Sequence, residues 1–508
     1  MTTTQDGTQD GIDTPRLELP LPAQLVAGVW SAPAEQLDLI LEDAFLGTQL
    51  GAAAATSAAD VERVAAAAQV AYESGAWVRM SPAARADVLD QVADALEGEV
   101  PRLAALEAFA TGVPVTQTSI VGMIVPGAFR LVAQTLRDGV LLEHHQGMSG
   151  NGVEVHRLPL GPALCLVPWN APAPMAAHKI ASSLAAGCPT ILKPSEYAPY
   201  ATTELARIVA GVLAEAGLGS GVDAGTFQLV QGGPGVGGSL VSDPRVRAVS
   251  FTGGLPGGRA IAAACAADFT ATQLELGGNN PLVVLPDADP ADAARAAVDL
   301  LTTLNGQWCR ALGRLVVPAE IADEIVSLAL DRLADLRVGD PLDPATELGP
   351  LVHSVHLGRV HAELEAKVAV GGVTCTSTSV PEQGHFLAPT LLTGVPAAEA
   401  QHEIFGPVAT VHAYNTLDEA LELANGTPYG LEGYVLGADT DQAMAFARQV
   451  RAGEVKVNGS TIMSLHLMTP RPAWGLSGLG EEGTVETIRI FTGARVVGVE
   501  GGFALHGR

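Results

Sequence analysis

The chain has 508 residues, and 28 lysine and arginine residues against 55 aspartate and glutamate residues give a formal net charge of −27. So acidic a surface repels phosphates, which argues against a nucleic-acid-binding protein and against docking on anionic membranes. The length exceeds that of one ordinary domain, so we expect two or three units with buried cores.

The cysteines and the N-terminus indicate a compartment. The 5 cysteines are widely spaced, and no two form a CxxC pair, so neither a disulfide framework nor a structural zinc site is favoured. The polar N-terminus lacks the apolar core of a signal peptide, and no run of about 18 apolar residues is free of proline and charge. We therefore expect a cytoplasmic protein that spans no membrane, with residues 1–24 disordered or loosely attached.

The predicted elements change character near residue 160. Residues 58–110 have the apolar spacing of helices, and Asp60 is a candidate helix cap. From Gly161 onwards, short apolar strands alternate with helices, which is typical of a parallel sheet covered on both faces. Strands are predicted at 163–167, 190–193, 226–231 and 248–252, and helices near 175–186, 201–216 and 257–267.

A second series of strands and helices begins near Asn280. Strands are predicted at 281–285 and 314–317, and helices at 291–305 and 319–336. The series continues past a turn-rich stretch at 339–350. This alternation predicts two α/β units in series.

Six short motifs occur in order along these units. They are 166–170 (LVPWN), 192–196 (LKPSE), 251–254 (FTGG), 275–278 (ELGG), 306–309 (GQWC) and 403–407 (EIFGP). One such motif is weak evidence, but six in order over about 240 residues make chance implausible. With these motifs the sequence resembles the aldehyde dehydrogenase superfamily over about residues 25–495.

The resemblance implies an α/β fold of two Rossmann-like, doubly wound parallel-sheet domains and a small β flap for oligomerisation. It places the cofactor-binding domain at residues 25–139 and 160–276, and the catalytic domain at residues 277–470. The flap would comprise residues 140–159 and 484–508. Because strands that leave the body of a protein seek a partner edge, a homodimer or homotetramer is expected.

Three residues are expected to carry the chemistry. A free cysteine is by default a small buried apolar residue, but Gly306 and Gln307 precede Cys309 as in the nucleophile motif of the family. Glu275 lies between apolar strand residues and a glycine turn, so partial burial would raise its pKa towards that of a general base. By resemblance it activates the water that releases a free acid. Asn170, otherwise a turn residue, is implied as an oxyanion donor together with the Cys309 N–H.

The resemblance also implies NAD as the cofactor. Lys193 and Glu196, otherwise a surface pair, would hold the adenosine ribose, and the carboxylate of Glu196 would favour NAD over NADP because it repels a 2′-phosphate. Glu403 would bind the nicotinamide ribose, and Phe405 would pack beside the ring. The remaining cofactor-binding residues would be Val167, Pro168, Trp169, Ser195, Gly233, Phe251, Thr252, Gly253, Gly254 and Leu276.

The run 233–238 (GPGVGG) also fits the GxGxxG dinucleotide fingerprint after a predicted strand. That fingerprint needs an acidic residue about 20 residues further on, at the end of the next strand, and none stands there. The ordinary fingerprint is therefore not favoured, and the resemblance implies instead that this turn lies near the adenine side of the cofactor.

Five residues are candidates for the aldehyde site: Ala171, His178, Trp308, Arg310 and Arg471. Relatives commonly carry aromatic residues where this chain has Ala171, His178 and Arg471. Each of these three substitutions, taken singly, is compatible with neutral sequence drift. Jointly, two arginines and a histidine favour a substrate with an acidic group, such as a semialdehyde acid, held by charge-assisted hydrogen bonds.

Three histidines, His353, His356 and His361, lie on one predicted helix. No cysteine or carboxylate cluster accompanies them in the sequence, so a helix surface is favoured over a metal site. His144 and His145 are interpreted as part of a hairpin connection, and no metal is predicted.

Two other functions stay open at this point. A catalytically silent member of the family would have a binding or structural role, and a thiol hydrolase would cleave esters without NAD. The intact set of Cys309, Glu275, Asn170, Lys193 and Glu403 argues against both alternatives.

Overall fold

The computed structural model describes residues 16–148 and 150–500. Its N-terminal part contains a short antiparallel pair, a two-stranded ribbon and six helices. In chain order these are β1 (Gln24–Val26), β2 (Val29–Ser31), β3 (Glu35–Asp43), β4 (Thr48–Ala55), α1 (Ala58–Ser74), α2 (Ala76–Arg79), α3 (Pro82–Glu97), α4 (Val100–Thr111), α5 (Val115–Gly122) and α6 (Ile124–Arg137).

Helix α1 begins after Ser57, whose hydroxyl accepts a hydrogen bond from the Asp60 N–H at 3.2 Å. The predicted cap at Asp60 is therefore wrong, since Asp60 lies inside the first turn. The stretch Val115–Arg137 is long and apolar enough to cross a membrane by length and composition, but 56% of its most apolar window is buried. Phe129 and Val132 of this stretch lie in the core with Leu89 of α3, as in a core helix.

The middle of the chain forms a hairpin and then alternating strands and helices, as predicted. These elements are β5 (Leu142–Gln146), β6 (Gly152–Pro159), β7 (Ala163–Leu166), α7 (Pro172–Ala186), β8 (Thr190–Lys193), α8 (Tyr200–Glu215), β9 (Phe227–Leu229), α9 (Pro234–Val241), β10 (Ala248–Thr252), α10 (Leu255–Ala266) and β11 (Ala271–Glu275).

The remaining elements form the second unit and the C-terminal segment. They are β12 (Asn280–Val284), α11 (Pro290–Thr302), β13 (Leu312–Pro318), α12 (Ala322–Ala334), α13 (Ser354–Ala369), β14 (Val373–Cys375), β15 (Thr390–Thr393), β16 (Val408–Tyr414), α14 (Leu417–Asn425), β17 (Tyr429–Gly430), β18 (Glu432–Leu436), α15 (Thr440–Ala447), β19 (Glu454–Val457), β20 (Arg471–Pro472), β21 (Trp474–Gly475), β22 (Gly478–Leu479), β23 (Glu481–Glu482), α16 (Thr484–Ile490) and β24 (Thr492–Gly498).

Two large sheets organise the molecule. The first has the strand order β2-β1-β9-β8-β7-β10-β11-β22, and the second β14-β15-β16-β13-β12-β18-β19. The inner strands of each sheet are parallel, and antiparallel strands lie at the edges. Helices cover the sheets, which bury apolar residues on both faces. The predicted α/β class with two doubly wound units is confirmed.

Both chain ends differ in part from the prediction. Residues 16–24 are attached to the body, because Arg16 pairs with Asp43 and Asp340 and because Leu17 and Leu19 pack on the core. Residues 484–490, predicted as part of the flap, form α16, whose Ile488 is fully buried in the first core. Residues 1–15 and 501–508 of the predicted tail segments lie outside the described residues. The flap itself is the three-stranded sheet β24-β6-β5.

Candidate active site

The predicted residues of the first unit meet at one edge of its sheet. β7, β8, β10 and β11 are parallel neighbours, and their registers place Leu166 opposite both Lys193 and Phe251, and Thr252 opposite Glu275. Ligands of open α/β sheets bind outside these carboxyl ends. Along this edge follow Val167, Pro168, Trp169, Asn170, Lys193, Ser195, Glu196, Phe251, Thr252, Gly253, Gly254, Glu275 and Leu276.

Cys309 lies on a short loop between α11 and β13, and this loop is fixed from the second sheet. The side-chain amide of Asn280, at the start of β12, donates to the carbonyls of Cys309 at 2.9 Å and Ala311 at 2.8 Å. The hydroxyl of Tyr434 donates to the carbonyl of Arg310 at 2.8 Å. The three residues from Cys309 to Ala311 are therefore held by their backbone carbonyls, which leaves the thiol position well defined.

The turn before this loop requires glycine at Gly306. Its φ is +69°, and a Cβ there would collide with the backbone of Gly406 and Pro407. The side chain of Asn305 donates to the carbonyls of Gly112 at 2.8 Å and Pro350 at 3.0 Å. The glycine of the nucleophile motif at position 306 is thus explained by the close approach of its backbone to the loop that contains Gly406 and Pro407.

Asn170 contacts the nucleophile loop directly. Its side-chain amide donates to the carbonyl of Gln307 at 2.9 Å, two residues before Cys309. Gln307 is itself anchored, since its side chain donates to the Thr111 carbonyl at 3.2 Å and accepts from the Val352 N–H at 2.9 Å. Among the described residues, neither the second N–H of Asn170 nor the backbone N–H of Cys309 has a hydrogen-bond partner. Two donors are therefore free beside the thiol.

Burial controls the acidity of the thiol and of Glu275. Burial raises the pKa of Cys309 to about 12, opposed by the positive charge of Arg310. Burial also raises the pKa of Glu275 to about 8, and the negative charge of Glu482 adds to this rise. The predicted upward shift of the Glu275 pKa is thus present in the structure. The Oε1 atom of Glu275 is buried without a hydrogen-bond partner among the described residues, as expected of a group that awaits a ligand or water.

Glu403 and Phe405 belong to the second unit and contact residues that follow strands of the first sheet. The region where the two units meet is here called the cleft. The carboxylate of Glu403 accepts from the Gly278 N–H at 2.9 Å, and burial raises the pKa of this carboxyl to about 8. The ring of Phe405 packs edge-on against Trp169 with the ring centroids 5.4 Å apart. Phe405 has a φ of +59°, an unusual conformation for a side chain of this size. The loop 403–407 therefore closes the cleft against the LVPWN segment.

Two histidines belong to the same cleft rather than to a helix surface. His353 caps α13 and stacks on Tyr197 at a centroid distance of 4.0 Å, and His356 lies 5.1 Å from the Trp169 ring. Burial lowers the pKa of both histidines, so both are neutral at pH 7. The expectation of a helix surface is wrong for these two, whereas His361 is exposed.

The other end of the edge suits a dinucleotide. Lys193 and Glu196 form a pair at 3.8 Å beside α9, whose N-cap Gly233 lies near Glu196. Both α9 and α10 begin after a glycine, which has no side chain to cap the helix. The first N–H groups of these two helices are therefore available to a ligand at this edge. The hydroxyl of Thr252 is buried without a partner among the described residues. This donor set fits ribose hydroxyls and a diphosphate.

The structure corrects the interpretation of Arg310. Its guanidinium pairs with Glu432 and lies 3.4 Å from Glu454, and Lys456 completes the group at 3.1 Å from Glu432. All four side chains are at most 11% exposed. Arg310 is therefore a buried member of a charge-balanced cluster, not an unpaired cation at the aldehyde mouth.

Arg471 and His178 are likewise engaged. Arg471 pairs with Glu482 at 3.1 Å, and the ring of His178 lies 3.7 Å from the same carboxylate. Burial alone would raise the pKa of Glu482, but the charges of Arg471, His178 and Lys179 lower it. Burial lowers the pKa of His178 to about 4, so this histidine is neutral at pH 7. Of the other candidates for the aldehyde site, Ala171 caps α7 and Trp308 is buried next to Cys309.

Several residues that shape the site were missed in the sequence. Lys179 is fully buried and donates to Ser250 at 2.8 Å, and its charge interacts with those of Glu482 and Glu275. Glu107 of α4 accepts from the Ala173 N–H at 2.6 Å, at the start of the helix that follows Asn170. The scarcity of lysine was a signal for Lys179, whereas nothing local distinguishes Glu107.

Comparison with known proteins agrees with this geometry. Residues 30–497 match the profile described as "Aldehyde dehydrogenase family". The chain is 34% identical to the geranial dehydrogenase of Castellaniella defragrans over 475 residues, which cover 92% of this chain and 96% of that protein. It is 33% identical to the succinate-semialdehyde dehydrogenase of Paenarthrobacter nicotinovorans over 454 residues, covering 87% and 97%.

Solved structures of similar fold include several complexes with a bound cofactor. Betaine aldehyde dehydrogenase from Staphylococcus aureus, in complex with NAD+, gives a TM-score of 0.89 at 27% identity, covering 96% of each chain. A mutant of aldehyde dehydrogenase C from Pseudomonas syringae, in complex with NAD+ and octanal, gives 0.85 at 29% identity, covering 94% and 98%. The chain belongs to the aldehyde dehydrogenase family and is an oxidoreductase that acts on aldehydes.

Proposed function

We propose that this protein oxidises an aldehyde to the free carboxylic acid with NAD, through covalent adducts on Cys309. One observation carries the proposal: among the described residues, Asn170 and Cys309 each keep an N–H donor without a partner at the loop that bears the thiol, and the charge of Glu275, whose Oε1 has no partner, acts on that thiol. The NAD+ complexes of the two similar structures support the choice of cofactor.

The cofactor would lie along the carboxyl edge of the first sheet. Lys193 and Glu196 would bind the adenosine ribose, the uncapped start of α10 would face the diphosphate, and Glu403 would bind the second ribose. When bound, NAD accepts the hydride that leaves the aldehyde carbon. A carboxylate at Glu196 repels a 2′-phosphate, so we propose that NAD is preferred over NADP.

Formation of the adduct requires that the Cys309 thiol lose its proton. Because burial keeps the pKa of this thiol at about 12, a base must take the proton during attack. Glu275, with a pKa of about 8, is the buried carboxyl whose charge also acts on the thiol. The sulfur then bonds to the aldehyde carbon, and the oxyanion accepts hydrogen bonds from Asn170 and the Cys309 N–H, an arrangement worth a few kcal/mol in the barrier.

We propose that Glu275 also acts as the base in the hydrolysis that releases the product. After hydride loss the substrate is a thioester of Cys309, and a water molecule must lose a proton as it attacks the thioester carbon. Once the proton taken from the thiol has passed to solvent, the buried, unpartnered Oε1 of Glu275 is suited to accept this second proton, and the C–S bond then breaks to release the acid and the Cys309 sulfur. Acyl transfer to CoA would need no such water, so this arrangement favours the free acid as product.

We also propose a homo-oligomeric protein of the cytoplasm. All 5 cysteines are free thiols, as expected in a reducing compartment. The flap sheet has two edge strands, β5 and β24, and β24 exposes Val496 and Val497 by 66% and 50%. Edges of this kind pair readily with another copy of the chain.

Reduction of NAD, followed by absorbance with a panel of aldehydes, tests the proposed function. We expect turnover with NAD that exceeds turnover with NADP, and loss of at least about a thousandfold in kcat for Cys309→Ser, since the nucleophile is removed. Cys375→Ser, which changes a cysteine of strand β14, is the matched control and should keep full activity. Equal activity of the Cys309→Ser variant would refute the proposal, and absence of NAD reduction with every aldehyde would favour a catalytically silent protein.

A further inference from the structure

The inference concerns the part of the aldehyde that lies outside the reacting carbonyl, and it rests on the proposed function. The segment 459–470, here called the mouth segment, lies between β19 and β20. Its Ile462 packs on the same apolar cluster as Trp308 and Cys309. Glu454 contacts both Arg310, the residue after Cys309, and the Leu465 N–H, so the mouth segment lies near the nucleophile loop.

The mouth segment is held in place by polar groups at its base. Glu454, which also pairs with Arg310, accepts from the Leu465 N–H at 2.8 Å. Lys456 donates to the Thr461 carbonyl at 3.0 Å. The charged cluster next to Cys309 thus serves to anchor this segment, which explains why its cations are not available to a substrate.

The side chains that the mouth segment presents to solvent are apolar. Met463 is 50% exposed, Leu465 65%, Leu467 58% and Met468 39%. Four large apolar side chains exposed within six residues are unusual on a protein surface unless a ligand or partner covers them. Methionine side chains are flexible and adapt to apolar ligands of differing shape.

The cations around the mouth are already engaged, since Lys179 is fully buried and donates to Ser250 at 2.8 Å, and the other three pair with carboxylates. Arg310 and Lys456 face Glu432 and Glu454, and Arg471 faces Glu482. Arg471 also donates to the Ser464 hydroxyl at 3.3 Å, so it too supports the mouth segment. A carboxylate on the substrate would meet groups that are already paired, and it would lose its hydration without gaining a free cation.

We propose that the aldehyde has an uncharged, apolar tail, and that Met463, Leu465, Leu467 and Met468 bind this tail as it leaves the site. Ala171, which follows Asn170 at the N-cap of α7, has only a methyl side chain and so adds little bulk next to the oxyanion donor. Specificity would thus come from burial of apolar surface, and it would grow with the length of the tail.

The test compares octanal, the eight-carbon aldehyde acid of the same length, and propanal as substrates of the full chain with NAD. We expect kcat/KM to be at least about tenfold higher for octanal than for the aldehyde acid. In the double variant Leu465→Ser, Leu467→Ser, kcat/KM for octanal should fall about tenfold while that for propanal stays unchanged. Val373→Ser, at a position 59% exposed on β14, is the matched control.

Three outcomes would overturn the proposal: preference for the aldehyde acid, an equal loss for octanal and propanal, or a change of oligomeric state in the double variant without any change in chain-length preference. The last outcome would assign the apolar side chains to an interface between copies. If no aldehyde reduces NAD, the proposed function fails instead, and the propanal rate of the unsubstituted protein distinguishes the two failures.

Discussion

At the scale of single residues, the proposed mechanism depends on groups whose pKa values are set by burial. Glu275 is buried and Cys309 is half-buried, and both have a pKa above the ordinary value. A carboxyl with a pKa of about 8 is largely protonated at neutral pH and becomes a base as the pH rises. The resting site is therefore protonated, which protects the thiol from unwanted reactions until substrate is present.

This leads to a prediction for the pH dependence. Steady-state turnover should increase as the pH rises through about 8, because only the ionised form of Glu275 can accept a proton. Glu275→Gln should lose about a hundredfold or more in kcat and should lose this pH dependence. The measurement is the initial rate of NAD reduction between about pH 6 and pH 9, a window that brackets the raised pKa.

The control for this variant is Glu481→Gln, which changes an exposed carboxylate on β23. It should keep both the rate and the pH profile of the unsubstituted protein. A Glu275→Gln variant whose rate still rises near pH 8 would show that another group is the base.

At the scale of elements, the active site is assembled where helix ends and strand ends meet. α4 contributes twice: its Glu107 accepts from the Ala173 N–H at the start of α7, and its Thr111 carbonyl accepts from Gln307. α7 follows Asn170, and Gln307 bonds to Asn170. The end of α4 thus fixes both Asn170, the proposed oxyanion donor, and the loop that bears Cys309, and in the proposed mechanism a small displacement of either would lower the rate.

We expect Glu107→Ala to lower kcat on the order of tenfold, because α7 would lose the acceptor at its N-terminus and Asn170 would shift. Glu107→Gln should restore most of the rate, since an amide oxygen still accepts from the Ala173 N–H. The affinity for NAD, measured by fluorescence titration, should stay the same in both variants, and this separates positioning from a general loss of structure.

The matched control is Glu99→Ala, at the N-cap of α4, where the side chain makes no capping hydrogen bond. Unchanged kcat in Glu107→Ala would contradict the positioning role. Equal losses in the Ala and Gln variants would instead indicate that the charge of Glu107 matters.

At the scale of the whole molecule, the flap sheet has two edges that pair with no other strand among the described residues. β24 pairs with β6 on one side only, and the opposite edge of the sheet is β5. Exposed valines on an edge strand are a hazard for a monomer unless a second copy covers them. The proposed oligomer supplies that cover.

The variant Val496→Asp, Val497→Asp should therefore weaken self-association at least about tenfold, since two buried charges would oppose the interface. Light scattering after size exclusion should show a mass near 52.0 kDa for the variant and a multiple of it for the unsubstituted chain. Val373→Asp, on the exposed strand β14, should keep the mass of the unsubstituted protein. An unsubstituted protein of 52.0 kDa would contradict the proposal.

The sequence by itself determined the alternation of strands and helices, and its motifs predicted the residues that meet at the carboxyl edge of the first sheet and in the loop around Cys309. These features depend on local patterns and on motifs of a few adjacent residues. Only the tertiary structure decided the partners of Arg310 and Arg471. For Arg310 the reason is distance, because Glu432 lies 122 positions away in the chain and no local pattern reports such a pairing. The same holds for Glu107, which is 66 positions from Ala173. Burial and charge pairing depend on residues that are distant from one another in the chain. The pKa values of the site groups and the ion-pair partners of its cations therefore became known only from the fold.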